Sequence, residues 1–110
     1  MTLISDALIQ RTPKLYQSEN INIKDKMLQI RYYATNSSWQ WFLVEYDENT
    51  QTAFGYVIGY EKEWGYFSLK EFQEINDDET SMIKIKRDTS FIPIRFSDLK
   101  LNWEINKSNR

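Results

Sequence analysis

The sequence predicts an α+β fold: an antiparallel β-sheet, made of a meander of three strands plus a later edge strand, with two or three short helices. Three observations carry that prediction. Apolar residues alternate with a period of two in successive runs between positions 27 and 60, and turn residues separate the runs. Two short segments, opening at Ser5 and at Ser68, instead pair a helix N-cap with helical spacing. The chain has 110 residues, 41% hydrophobic and 15% aromatic, which suits one domain with its own core. Residues 1–105 are read as that single α+β domain and residues 106–110 as a frayed polar tail.

The first helix covers residues 5–11, with Ser5 as N-cap, Leu8 and Ile9 as its apolar stripe and Thr12-Pro13 as its stop. A polar connector without clear period follows over residues 14–26, containing Tyr16, Ser18 and Glu19. Residues 27–35 read as a strand, with Leu28, Ile30, Tyr32 and Ala34 on one face and Gln29, Arg31 and Tyr33 on the other. After the turn Asn36-Ser37-Ser38, residues 39–46 form a second strand that is apolar on both faces. Trp39, Trp41 and Leu43 share one face, and Phe42, Val44 and Tyr46 the other. Asp47-Glu48-Asn49-Thr50 is a hairpin loop.

The third strand, residues 53–60, sets Phe54, Tyr56, Ile58 and Tyr60 against a face of Ala53, Gly55, Val57 and Gly59. Glycine weakens a strand, so two at alternate positions imply that a large neighbour such as Trp39 or Trp41 lies over bare backbone. Residues 61–67 read as a connector. Ser68-Leu69-Lys70-Glu71 is a capping-box pattern that opens a helix carrying Leu69, Phe72 and Ile75. An acidic loop spans 76–81, and residues 82–87 read as an edge strand with Ile83 and Ile85 inward and Lys84 and Lys86 outward. Phe91, Ile92 and Ile94 flank Pro93 in an extended stretch. Residues 97–105 fit a helix capped by Ser97 or an alternating strand equally well.

Composition removes most chemistry. Without histidine or cysteine there is no Ser-His-Asp or Cys-His triad, no thiolate nucleophile and no Cys/His zinc site. Three glycines cannot build a phosphate-cradling loop, and no cofactor motif is present. Two carboxylate pairs, Glu45 with Asp47 and Glu61 with Glu63, retain the formal ability to bind a cation or act as acid and base. Pairs of this kind on a strand edge are usually solvated surface, so no metal or catalytic residue is assigned. No signal peptide or run of about 18 apolar residues occurs, and the expected location is the cytoplasm.

Charge is uneven although the net value is only −2. Between residues 45 and 79 ten acidic residues face two lysines, whereas residues 84–110 hold seven basic and three acidic ones. Four tryptophans, seven tyrosines and six phenylalanines exceed what a core of this size readily hides, and exposed Tyr and Trp are favoured interface anchors. The expectation is a non-enzymatic module that binds another protein through Trp39, Trp41, Tyr46, Asp47, Glu48, Glu61, Glu63 and Trp64, the acidic members engaging basic residues of the partner. The alternative is a nucleic-acid-binding accessory protein using Lys84, Lys86 and Arg87; a sequence pI of about 5.2 counts against it. Arg87, followed by Asp88, is read as a structural clamp on a loop carboxylate or carbonyl.

Several segments also form a recurring pattern: Trp39-Gln40-Trp41, Glu45-Tyr46-Asp47, Phe54-Gly55, Glu63-Trp64-Gly65-Tyr66-Phe67-Ser68-Leu69 and Lys86-Arg87-Asp88. Together they resemble a family of small uncharacterised bacterial proteins carried on plasmids, conjugative elements and phages. The resemblance spans residues 3–99. It implies no catalytic residue, but it implies a mobile-element setting. There a small binding protein inhibits a host defence nuclease, in the manner of an anti-CRISPR or anti-restriction protein.

Overall fold

A computed structural model of the chain describes residues 2–99. Helix α1, Asp6–Arg11, opens where the Ser5 hydroxyl accepts from the Leu8 N–H at 3.2 Å. It closes where Thr12 donates its hydroxyl to the Leu8 carbonyl at 2.6 Å, just ahead of Pro13. The connector is a series of turns ending in a 3-10 turn, Ile23–Asp25. The single strand expected over 27–35 is two: β1, Met27–Leu28, and β2, Ile30–Ala34. Between them the Gln29 N–H donates to the Leu43 carbonyl at 2.8 Å. That break sends Leu28 into one core cluster and Ile30 into another.

The next strands are β3, Gln40–Asp47, β4, Thr52–Ile58, and β5, Lys62–Ser68; helix α2, Leu69–Asp77, follows directly. Short strands β6, Ile85–Arg87, and β7, Ile94–Arg95, complete the order. The main sheet runs β5-β4-β3-β2-β6, every neighbour antiparallel, and β1 pairs with β7 in a separate two-stranded sheet. The α+β class and the antiparallel sheet are as expected, but the meander has four strands. All but the first residue of the connector at 61–67 pair with β4, Trp64 opposite Tyr56 and Tyr66 opposite Phe54. Cross-strand aromatic pairs of this kind stabilise a sheet whatever the glycine between them. Conversely, β4 stops at Ile58: the Gly59 N–H turns back to the Glu61 carbonyl, so Tyr60 leaves the sheet and is 94% exposed. The edge strand is shorter than expected, starting at Ile85 rather than 82. Of segment 97–105, residues 97–99 belong to a helical turn over 96–99; the remainder, with 106–110, lies outside the described residues.

Strand β3 is buried on both faces from Gln40 to Tyr46, which its two-sided apolar pattern anticipates. A bulge at Val44 changes which side chains share a face: Leu43 sits opposite Gly55, yet Glu45 sits opposite Phe54. Tyr46 therefore joins Trp41 and Leu43 in the cluster covered by α1, α2 and the N-terminal residues, not Phe42 and Val44 as simple alternation requires. Phe42 and Val44 pack on the opposite face with Leu28, Ile58 and Leu99. Full burial of side chains such as Phe42, Leu43 and Val44 contributes about 1.5–3 kcal/mol each, so the central strand anchors both layers.

Gly55 inside β4 and Gly59 just past its end serve different contacts. A Cβ on Gly59 would lie 2.5 Å from the Trp39 ring, which drapes over that bare backbone as expected. A Cβ on Gly55 would instead collide with the Phe42 carbonyl, where β4 closes against the bulged strand.

Candidate functional site

The eight residues singled out for partner binding separate into two groups. Trp41 and Tyr46 are only 9% and 5% exposed, both in the core cluster beneath the helices. The bulge and the helix cover remove them from any surface role as anchors. Trp39 is half-buried, 5.8 Å from Trp41 and 5.4 Å from Tyr60 between ring centroids. Asp47 and Glu48 stand at the β3–β4 turn, whereas Glu61 and Glu63 stand where β4 hands over to β5. Seven residues of β4 lie between those ends, roughly 20 Å at a strand's rise. The acidic segment thus splits between opposite ends of the sheet.

What gathers around Asp47 and Glu48 is a segment that sequence reasoning left as an unpatterned connector. Glu45 is 3% exposed, turned by the bulge onto the face of Phe54. Its carboxylate accepts from the Tyr16 N–H at 2.8 Å, from the Ser18 N–H at 3.0 Å and from the Ser18 hydroxyl. Buried Lys26 donates its Nζ to the Ser18 carbonyl at 2.5 Å and to the Ser18 hydroxyl oxygen at 3.4 Å. A buried carboxylate and a buried ammonium thus share one serine, and each finds the polar partners that burial demands. This network bends the connector so that Tyr16 takes φ 73°, a left-handed conformation that is strained for a bulky residue. Tyr16 is held outward, 61% exposed.

The surface on either side of Tyr16 is concave. On one side a hollow of about 310 Å³ is lined by Tyr16, Ile23, Phe54, Trp64 and Tyr66, with Glu45 and Lys26 at its base. Phe54 stacks on Trp64 at 5.8 Å and meets Tyr66 at 5.1 Å. The neighbouring Tyr16 hydroxyl, then partial desolvation and the charges of Glu45 and Glu19, raise the Tyr66 phenol above its ordinary value. On the other side a hollow of about 330 Å³ is bounded by Tyr16, Tyr46, Asp47 and Glu48. Burial, followed by the charges of Glu48 and Asp47, likewise raises the Tyr46 phenol. The outcome is an aromatic ridge with an acidic rim. Of the eight residues, Tyr46, Asp47, Glu48 and Trp64 border it; Trp39, Trp41, Glu61 and Glu63 do not line it. Tyr16, Ser18 and Lys26 carried no motif, but one signal pointed to them. Glu45 is a lone charge inside a strand buried on both faces, and such a charge needs a partner from elsewhere in the chain.

The basic stripe of the alternative reading does not survive folding. Lys84 turns inward, donating to the Asn76 and Asp78 carbonyls at 3.0 Å each and so closing the C-terminal end of α2. Arg87 is half-buried, and Lys86 alone of the three is exposed. The clamp assigned to Arg87 belongs to Arg31, whose Nη1 meets Asp88 at 3.0 Å. The carboxylate pair Glu45 and Asp47 is engaged by protein donors: Asp47 accepts from the Asn49 N–H at 3.1 Å and the Thr50 hydroxyl at 2.9 Å. Among the described residues no three of His, Cys, Asp and Glu gather as a metal cluster would, and no helix is long and apolar enough to cross a membrane.

Fold and surface together define a small antiparallel-sheet α+β domain that displays an aromatic ridge. The chain belongs to the family described as "Protein of unknown function (DUF2958)", whose model matches residues 3–98. No curated protein and no solved structure matches the chain.

Proposed function

We propose that this protein is a non-enzymatic binding module that acts by protein–protein contact through the ridge centred on Tyr16. The observation that carries the reading is Tyr16 itself: a large aromatic side chain exposed to solvent and held at a strained φ by a buried carboxylate. Strain maintained at the surface is a mark of sites built for contact, because the fold spends stability to keep the side chain displayed. Tyr and Trp are preferred anchors at the centre of interfaces. Glu19, Asp47 and Glu48 around the ridge favour a partner with basic residues and steer its approach. In a mobile-element setting such a partner is the basic, nucleic-acid-binding groove of a host defence nuclease, which the module occludes in the manner of an anti-CRISPR or anti-restriction protein.

A photo-cross-linking residue at position 16, compared with one at position 60, tests this in host extract and in purified defence nucleases. Adducts with one protein from position 16 and none from position 60 are expected. The pair Glu19→Lys and Glu48→Lys should abolish them, and the pair Glu61→Lys and Glu63→Lys should leave them unchanged. Equal labelling from both positions, or survival after reversal at Glu19 and Glu48, sinks the proposal.

A further inference from the structure

Strand β6 ends at Arg87, which pairs across the ladder with Tyr32 and so faces the helix-covered side of the sheet. Its Nε and Nη1 are buried and hydrogen-bonded to nothing among the described residues. The carboxylate next in the chain, Asp88, is already taken by Arg31 at 3.0 Å. A guanidinium with desolvated donors and no counter-charge is among the costliest arrangements a small domain can retain. Beside it, between α1 and the turn after β6, lies a hollow of about 310 Å³ that shares no lining residue with the Tyr16 ridge. Arg11 and Arg87 line it, and Asp88 is the acidic residue on its wall; with Asp88 paired to Arg31, the hollow carries a positive field. The remaining wall includes Leu8, Ile30 and Phe91.

We infer that this hollow is a binding site for a small organic anion, its carboxylate or phosphate head held by Arg87 and Arg11 and its apolar body lying against Leu8, Ile30 and Phe91. Arginine suits the head because its planar fork matches both oxyanions. The volume suits a compact ligand, since small-molecule sites begin at about 300 Å³. The apolar wall separates this site from one for a bare ion. An organic head group supplies the missing counter-charge, and the body displaces water from Phe91.

Titration of the isotopically labelled protein with benzoate, phenyl phosphate and inorganic phosphate, read on backbone amide shifts, tests the site. Saturable shifts at Ser5, Leu8, Thr89 and Phe91 are expected with one of the aromatic anions, and the better of the two identifies the head group. Inorganic phosphate should bind about tenfold more weakly or worse. Arg11→Gln, at an exposed position, should weaken binding about tenfold while distant amides stay in place. Arg87→Met should abolish binding and raise the melting temperature of the free protein, because an unpaired buried charge is replaced by an apolar side chain. No saturable shift with any probe at about 20 mM overturns the inference. So does binding that neither substitution weakens, or inorganic phosphate binding as tightly as phenyl phosphate.

Discussion

Replacing Glu45 by glutamine should unlock the ridge without altering any aromatic side chain on it. The carboxylate accepts three hydrogen bonds, from the Tyr16 N–H, the Ser18 N–H and the Ser18 hydroxyl. An amide keeps the shape but turns an NH₂ toward donors, so at least one bond is lost and the rest become neutral. Hydrogen bonds to a charged group contribute about 1.5–3 kcal/mol and neutral ones about 0.5–1.5, so exchanging three of the first for two of the second costs about 3.5–6 kcal/mol. Lys26, buried and bonded to the same Ser18, loses the charge of the Glu45 carboxylate, which adds in the same direction. For a domain of this size that loss lowers the melting temperature by roughly 14–24 °C. The loss is also local at first, because Tyr16 at φ 73° has no reason to stay strained once its N–H is released. Thermal melts should be paired with amide hydrogen exchange, in which Tyr16 and Ser18 lose protection well before Ala53 in β4. A melting temperature within about 2 °C of the parent, with Tyr16 and Ser18 still protected, would show that the carboxylate does not hold the ridge.

The three glycines form a graded series readable in urea midpoints. Gly65→Ala should change stability by no more than about 0.5 kcal/mol, since its methyl meets nothing within 4 Å. Gly59→Ala must displace the Trp39 ring and should cost about 1–3 kcal/mol. Gly55→Ala drives a methyl into the backbone of the central strand and should be the most damaging of the three; a different order refutes the packing account. Hydrogen bonds from the Thr80 hydroxyl and Thr80 backbone hold the Asp78 carboxyl below its ordinary 3.8. A folded value depressed in this way contributes stability above the unfolded value, lost as pH falls through the folded one. Thr80→Val should therefore move the Asp78 midpoint upward toward 3.8 in an NMR titration, and an unmoved midpoint removes the hydroxyl as the cause.

Much of the secondary structure was legible because its causes are close neighbours in the chain. Ser5 caps α1 and Ser68 caps α2 through bonds to residues three positions on. Of the capping box at Ser68, the half that forms is the one from the Glu71 N–H to the Ser68 hydroxyl oxygen. Strand β5 was missed because Gly65 and the charged residues Glu61, Lys62 and Glu63 weaken its local preference, and its partner β4 alone makes it a strand. The candidate site was legible only in pieces. Asp47, Glu48 and Trp64 were visible as charged and aromatic surface candidates, yet Tyr16 was not, since nothing in residues 14–26 announces the conformation it takes.

The aromatic-rich antiparallel sheet, the two caps and the lack of histidine and cysteine were therefore properties of the sequence by itself. They follow from side-chain period, from backbone bonds reaching three or four residues and from which residue types are present. Tertiary structure alone decided the rest. The bulge at Val44 moved Tyr46 onto the helix-covered face and Glu45, still buried, onto the opposite one, because a ladder's register depends on the partner strand. Lys84 became a helix stop and Arg31, not Arg87, found Asp88, 57 residues away. Glu45 fixed Tyr16 across a separation of 29 residues. A buried charge states that it needs a partner, but which residue answers is settled only when the chain brings one within hydrogen-bonding distance.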